Sequence, residues 1–391
     1  MNKQKLMVLL AFSCLLIIAT IIGCTAVQEG FLIPVEEGAE ARFAFVVNAE
    51  NDCDCSFSIS VFSVEKSTGK LTAAAGSPFT TAFIGGNEEG TSFIDVDPNS
   101  RFVYVPLGNQ GKVAVYSVNQ STGALTEIGG SPFTVGEGGD RPYSAKVDPT
   151  GKVLYVTNRN NDEIYALSVD QSTGALATIG SFELDGFPYQ IIMDPQGRFL
   201  YVGVDTGEGA AVQGFKINSS APVLTPVPGE PGGYCALRSG TVDATGHFLL
   251  IANPCEDNVS VFTIDQSTGA LAEVANSPFD AGSGPFHVVE AVNGGQSFVA
   301  VNNLDSANIS VYTFNTSTGE LKPVTSSPFT FANASWTHYM AVDFGNRFGY
   351  VADFGNGITG VTITQNGTLA QITGSPFTSS TSPPTQIVLG R

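Results

Sequence analysis

Charge is scarce in this chain. Only 14% of its 391 residues are Asp, Glu, Lys or Arg, and 17 basic residues face 36 acidic ones. The formal net charge of −19 repels nucleic-acid phosphates, which excludes DNA and RNA as partners. The same field disfavours a phosphorylated ligand anywhere but in a basic pocket. There are three His and one Trp, Trp336. No G-x-S-x-G, H-E-x-x-H or P-loop is present, and no dinucleotide fingerprint opens a helix. These absences remove the common serine-hydrolase, zinc-protease and nucleotide-binding classes, and no cofactor or metal is implied. Beyond residue 23 no long helical periodicity occurs, which excludes the α/β classes.

What is present is glycine (44) and phenylalanine (27), a composition suited to short strands joined by tight turns. The N-terminus stands apart. Lys3 and Lys5 precede an apolar run over residues 6–22, followed by Gly23-Cys24. Residues 1–23 read as an export signal ending in a lipobox-like site, with Cys24 acylated and residues 24–40 as a tether. The expected location is the outer face of a bacterial membrane, held by lipid alone. In that oxidising setting disulfides persist. Cys235 and Cys255 fall on one face of the same unit and form the preferred pair; Cys53-Asp54-Cys55 is too close for a relaxed bond.

The rest of the chain repeats. Leu71, Leu125, Leu176, Leu224, Leu271, Leu321 and Leu369 each follow an STG-like turn, 47 to 54 residues apart. Seven units of this length point to propeller blades. Within residues 143–178, strands are predicted at 143–147, 153–156, 164–169 and 175–179, giving four antiparallel strands per blade. A Ser-Pro-Phe element closes most units. Its Pro removes a donor at the outer edge, and its Phe (Phe79, Phe133, Phe279, Phe329, Phe377) is expected to wedge between blades. Units three and four lack it. The first unit begins at Arg42 with its second strand, and residues 384–389 match the missing inner strand. The predicted fold of residues 41–391 is therefore an all-β, seven-bladed propeller whose C-terminal strand completes the first blade.

The sequence YVTN at Tyr155–Asn158, the STGAL turns, the SPF elements and the seven units resemble the seven-bladed lactonase family, which includes 6-phosphogluconolactonases and muconate-lactonising enzymes. The resemblance implies a carboxylic-ester hydrolase acting on a lactone at the channel mouth. Family members carry a His near the start of one inner strand; here Arg238 stands there. At the start of the next they carry Gly-Pro-Arg-His, and here Gly284-Pro285-Phe286-His287 has Phe for Arg. Lactone hydrolysis needs a group to activate water and donors to hold an oxyanion. His287, His338 and Arg238 all fall at starts of inner strands and are the candidate catalytic set, a His as base and Arg238 as oxyanion partner. Arg141, Tyr143 and Trp336 are candidate ligand contacts. His247 lies in a turn and is expected to be exposed and inert.

An alternative stays open. The loops at residues 49–55, 158–163, 254–258 and 303–308 are acidic and share one face. A non-catalytic, monomeric propeller lipoprotein could bind a protein or glycan there. The same loops could ligate calcium through oxygen, but none has EF-hand spacing and they read as solvated.

Overall fold

The computed structural model describes residues 42–49, 57–80, 93–136 except 109, 141–218, 223–234 except 230, 237, 239–331, and 337–391 except 379 and 381. The segments expected to be export signal and tether, with Cys24, lie outside these residues, as do Cys53, Cys55, Cys235, Arg238 and Trp336. Among the described residues no helix is long and apolar enough to cross a membrane.

Seven antiparallel sheets follow one another along the chain. Blade 3 shows the plan: Pro142–Val147 innermost, then Val153–Asn158, Glu163–Val169 and Leu176–Glu183. Blade 1 is completed from the far end of the chain. Its inner strand, Pro384–Gly390, pairs with Phe43–Ala49, with Val46 opposite Ile387. That is the closure the sequence predicts. It pairs the inner side of Phe43–Ala49 and hydrogen-bonds the two ends of the propeller chain together.

The apolar residues that alternate along the strands meet between blades. Ile59 and Val61 of blade 1 pack with Val103 and Val105 of blade 2, and this pattern repeats around the ring. The SPF phenylalanines join these clusters. The element does more than end a strand, however. Phe79–Thr80 turns back to pair with the far half of the third strand, Ile59 opposite Phe79. Where the outer strand is interrupted, the Ser supplies the missing acceptor. The N–H groups of Val61, Val115, Val261, Val311 and Gly360 donate to Ser77, Ser131, Ser277, Ser327 and Ser375 Oγ at 2.7–3.0 Å. Blade 3, lacking SPF, keeps a continuous outer strand with Ile179 as a one-residue bulge.

The STG glycine meets two demands at once. Gly174 has φ +79°, and a Cβ there would lie 2.7 Å from the Phe102 ring of blade 2. In five blades the turn after the inner strand is capped by Asp97, Asp148, Asp194, Asp243 or Asp343; Asp148 Oδ1 accepts from the Lys152 and Val153 N–H groups. In blades 2 and 4 the following Arg then reaches the next blade. Arg101 donates to Gln171 O and Oε1 at 2.7 and 2.9 Å, and Arg198 to Gln266 Oε1 at 2.7 Å.

Candidate functional site

The inner strands surround a central channel. Where these strands begin, Phe93, Tyr143, Phe286 and Tyr339 pack into one buried cluster with Tyr189 and Leu304. Ring centroids lie 5.1 Å apart for Phe93–Tyr339 and 5.3 Å for Phe286–Tyr339. Below this cluster lies a cavity of about 310 Å³, running along the inner strands toward Met193, Val242 and Phe344. Solvent reaches it from that lower end, where Phe344 is exposed and the Lys146 side chain is 38% exposed.

His287 lines the cavity. Its register position, opposite Asn302, is occupied in other blades by Phe93, Ser144, Tyr339 and Gln386. Several of these side chains serve the neighbouring inner strand. The N–H groups of Ile94 and Ile191 donate to Gln386 Oε1 and Ser144 Oγ, at 2.8 and 3.1 Å. In the same way the Met340 N–H donates to His287 Nδ1 at 3.4 Å. Acceptance at Nδ1 puts the single proton of neutral imidazole on Nε2. Burial lowers the His287 pKa to about 3, so the ring is neutral at ordinary pH. The ring nonetheless faces the channel, so it is deep but reachable.

Two residues further along, two blades place opposite charges in the cavity. Asp95 and Lys146 stand where other blades carry Ile192, Thr241, Val289, Ala341 and Val388. Lys146 Nζ lies 3.2 Å from Asp95 Oδ2, which also accepts the Val147 N–H at 2.9 Å. The pair escaped the sequence reading because Asp95 and Lys146 are 51 residues apart. The available signal was a charge at a position that is otherwise uncharged in the repeat.

The other candidates separate. His338 does not line the cavity. Its ring lies against Phe286 and Phe354, centroids 5.5 and 5.6 Å away, its Nδ1 has no hydrogen-bond partner, and burial lowers its pKa to about 4. Tyr143, expected to face a ligand, is 3% exposed and packed in the aromatic cluster. Arg141 uses its backbone to fix the neighbouring loop: its N–H donates to Asn158 Oδ1 and its carbonyl accepts the Arg159 N–H. Arg159 is a buried cation that the acidic-loop reading passed over. Its guanidinium carbon sits 3.3 Å from the Tyr143 ring centroid and 4.4 Å from that of Phe187. Cys255 is disulfide-bonded; the expected partner, Cys235, lies outside the described residues. His247 is in its turn, with Nδ1 2.8 Å from Thr245 Oγ1.

Residues 39–181, 136–233 and 241–339 match the family described as Lactonase, 7-bladed beta-propeller. The chain belongs to that lactonase family. Among its relatives, the 6-phosphogluconolactonase of Pectobacterium carotovorum is 26% identical over 212 residues, and that of Yersinia pestis 25% over 212. The first match spans 51% of this chain and 60% of the relative. Among solved structures, the periplasmic gluconolactonase of Pseudomonas aeruginosa superimposes with TM-score 0.70 at 16% identity, covering 90% of this chain and 99% of that one. A Lactobacillus plantarum protein does so with TM-score 0.68 at 13% identity, covering 90% of this chain and all of that one. These structural likenesses at low identity concern the fold.

Proposed function

We propose that the chain hydrolyses a small, non-phosphorylated sugar lactone in the lower half of its central channel. The observation that carries this is His287, neutral through burial and facing a cavity that it shares with the Asp95–Lys146 pair. The lone pair that a histidine base would use, on Nδ1, already accepts the Met340 N–H, so the role expected of a histidine base is reassigned. The Nε2–H is a donor, suited to the carbonyl oxygen as negative charge develops there. In the proposed step, water adds to the lactone carbonyl while Asp95 accepts its proton. The tetrahedral intermediate then collapses, the ring C–O bond breaks, and Asp95 returns the proton to the leaving oxygen. Lys146 holds the carboxylate in place. Arg238 is retained as a proposed second donor.

Cavity size and charge support the substrate class. About 310 Å³ is at the small end of ligand pockets and suits one sugar ring. Among the described residues the only cation that lines it, the Lys146 ammonium, is paired with Asp95, and the chain's net charge is −19, which disfavours a phosphate there. Family membership supports the reaction class, and the 6-phosphogluconolactonase relatives support a sugar-acid lactone. The lipobox-like N-terminus and the periplasmic gluconolactonase neighbour support action outside the cytoplasm, with a lipid anchor at Cys24.

The test is initial-rate hydrolysis of a panel of neutral aldonolactones by wild type and His287→Gln. Loss of one oxyanion donor lowers kcat by about 10²-fold or more. If a folded wild type leaves every lactone untouched, catalysis is excluded and the non-catalytic binding reading takes its place.

A further inference from the structure

A second cavity, of about 670 Å³, opens on the lower face between blades 5 and 6. It sits where the bracing between neighbouring turns fails. At the boundary between blades 2 and 3, Arg101 reaches Gln171; at the boundary between 5 and 6 the equivalent positions are His247 and Thr316. His247 turns back onto its own Thr245.

Glu290 lines this cavity, and its place in the repeat is exceptional. It pairs opposite Val299. The six sister positions are Val96, Val147, Met193, Val242, Val342 and Leu389, all apolar. The next residue is Ala291, where five blades carry the turn-capping Asp. Blade 6 has thus lost the usual cap and gained a carboxyl one residue earlier, in the space between blades. Its oxygens accept the Ala244 N–H of blade 5 at 2.5 Å and the Ser297 hydroxyl. Burial pushes its pKa above the ordinary carboxylate range, so an unpaired charge there is costly. Around it stand the hydroxyls of Thr245, Thr313 and Thr316 and the exposed Glu320–Lys322 ion pair, 3.0 Å across. With two carboxylates and one ammonium the cavity carries an acidic excess.

We propose that this cavity is a second binding site, selective for a small organic cation bearing an amine or guanidinium group. The cation supplies the positive charge that the two neutral donors on Glu290 do not, and the threonine hydroxyls accept its remaining N–H groups. The site is separate from the channel and does not depend on lactone hydrolysis.

Isothermal titration with agmatine and spermidine as probes, and glucose as a neutral control, tests it. Wild type should bind at least one of the two cations and not glucose. Glu290→Gln keeps the shape and removes the charge, and should weaken binding about tenfold or more while lactone hydrolysis stays unchanged. The double change His247→Arg with Thr316→Gln rebuilds the missing brace across the cavity and should block the probes without harming the fold. No cation binding by wild type overturns the proposal. So does equal binding by Glu290→Gln, or by the double variant with its fold intact.

Discussion

Two blade boundaries built from the same repeat behave differently. Between blades 2 and 3 the STG glycine seats on Phe102, and Arg101 ties the turns together. Between blades 5 and 6 the glycine contact survives, Gly319 on Phe248, but the arginine brace is gone and a cavity with a half-buried acid replaces it. The contact shared by both boundaries is architecture. The feature that only one boundary changes is where chemistry gathers. The channel follows the same rule. Asp95 and Lys146 put charge at a register position that is uncharged in five other blades.

The largest expected effect is on the shared contact. Gly174→Val forces a β-branched residue to φ +79° and into Phe102, and should cost about 3 kcal/mol or more, read from the denaturant midpoint. Gly319→Val should cost a similar amount. A clearly smaller loss at Gly319 would mean that the boundary between blades 5 and 6 is loosely packed and the comparison fails.

Next comes acid sensitivity from the channel. His287 titrates near 3 in the folded chain and near 6.5 when unfolded, so the unfolded chain binds the extra proton between those values. Its contribution is fully present above pH 6.5 and is lost as pH falls, by about 1.4 kcal/mol per unit. His338, lowered to about 4, adds the same sign over a narrower window. His287→Gln should therefore flatten the fall in stability between pH 6.5 and 4.5. An unchanged slope would remove burial as the cause of neutrality.

Smaller effects concern the brace. Arg101→Met removes hydrogen bonds to Gln171 from a part-exposed guanidinium and should cost about 1 kcal/mol. Arg198→Met, which loses the bond to Gln266, should cost about the same or less. Melting temperatures that do not move in either variant would reduce the brace to ornament.

Much of the fold is written locally, so it could be read from the sequence. The Leu spacing gives seven units, Gly turns and Pro breaks delimit strands, and residues 384–389 declare the closing strand because they repeat an inner-strand pattern. The SPF phenylalanines pack between blades as their position implies. The role of the SPF serine was hidden, because its partner N–H lies 15 or 16 residues upstream on another strand. The candidate site was less accessible for the same reason. His287 stood out as one of three histidines. Tyr143 and His338 each stand one residue before the equivalent of His287, in line with Phe286, and their rings turn into aromatic packing. Asp95 meets Lys146 only after two blades have been laid side by side. Arg159 looked like one charge in a polar loop, and only the fold brings Tyr143 and Phe187 against its guanidinium.

The most direct measurement is the pH–rate profile of lactone hydrolysis, corrected for the uncatalysed reaction, for wild type and His287→Gln. With a histidine already neutral and acting as a donor, wild type should show no inflection near pH 6.5, and the variant should run parallel and far lower. A wild-type acid limb centred near 6.5 that disappears in His287→Gln would contradict this, because it would make His287 an ordinary titrating base.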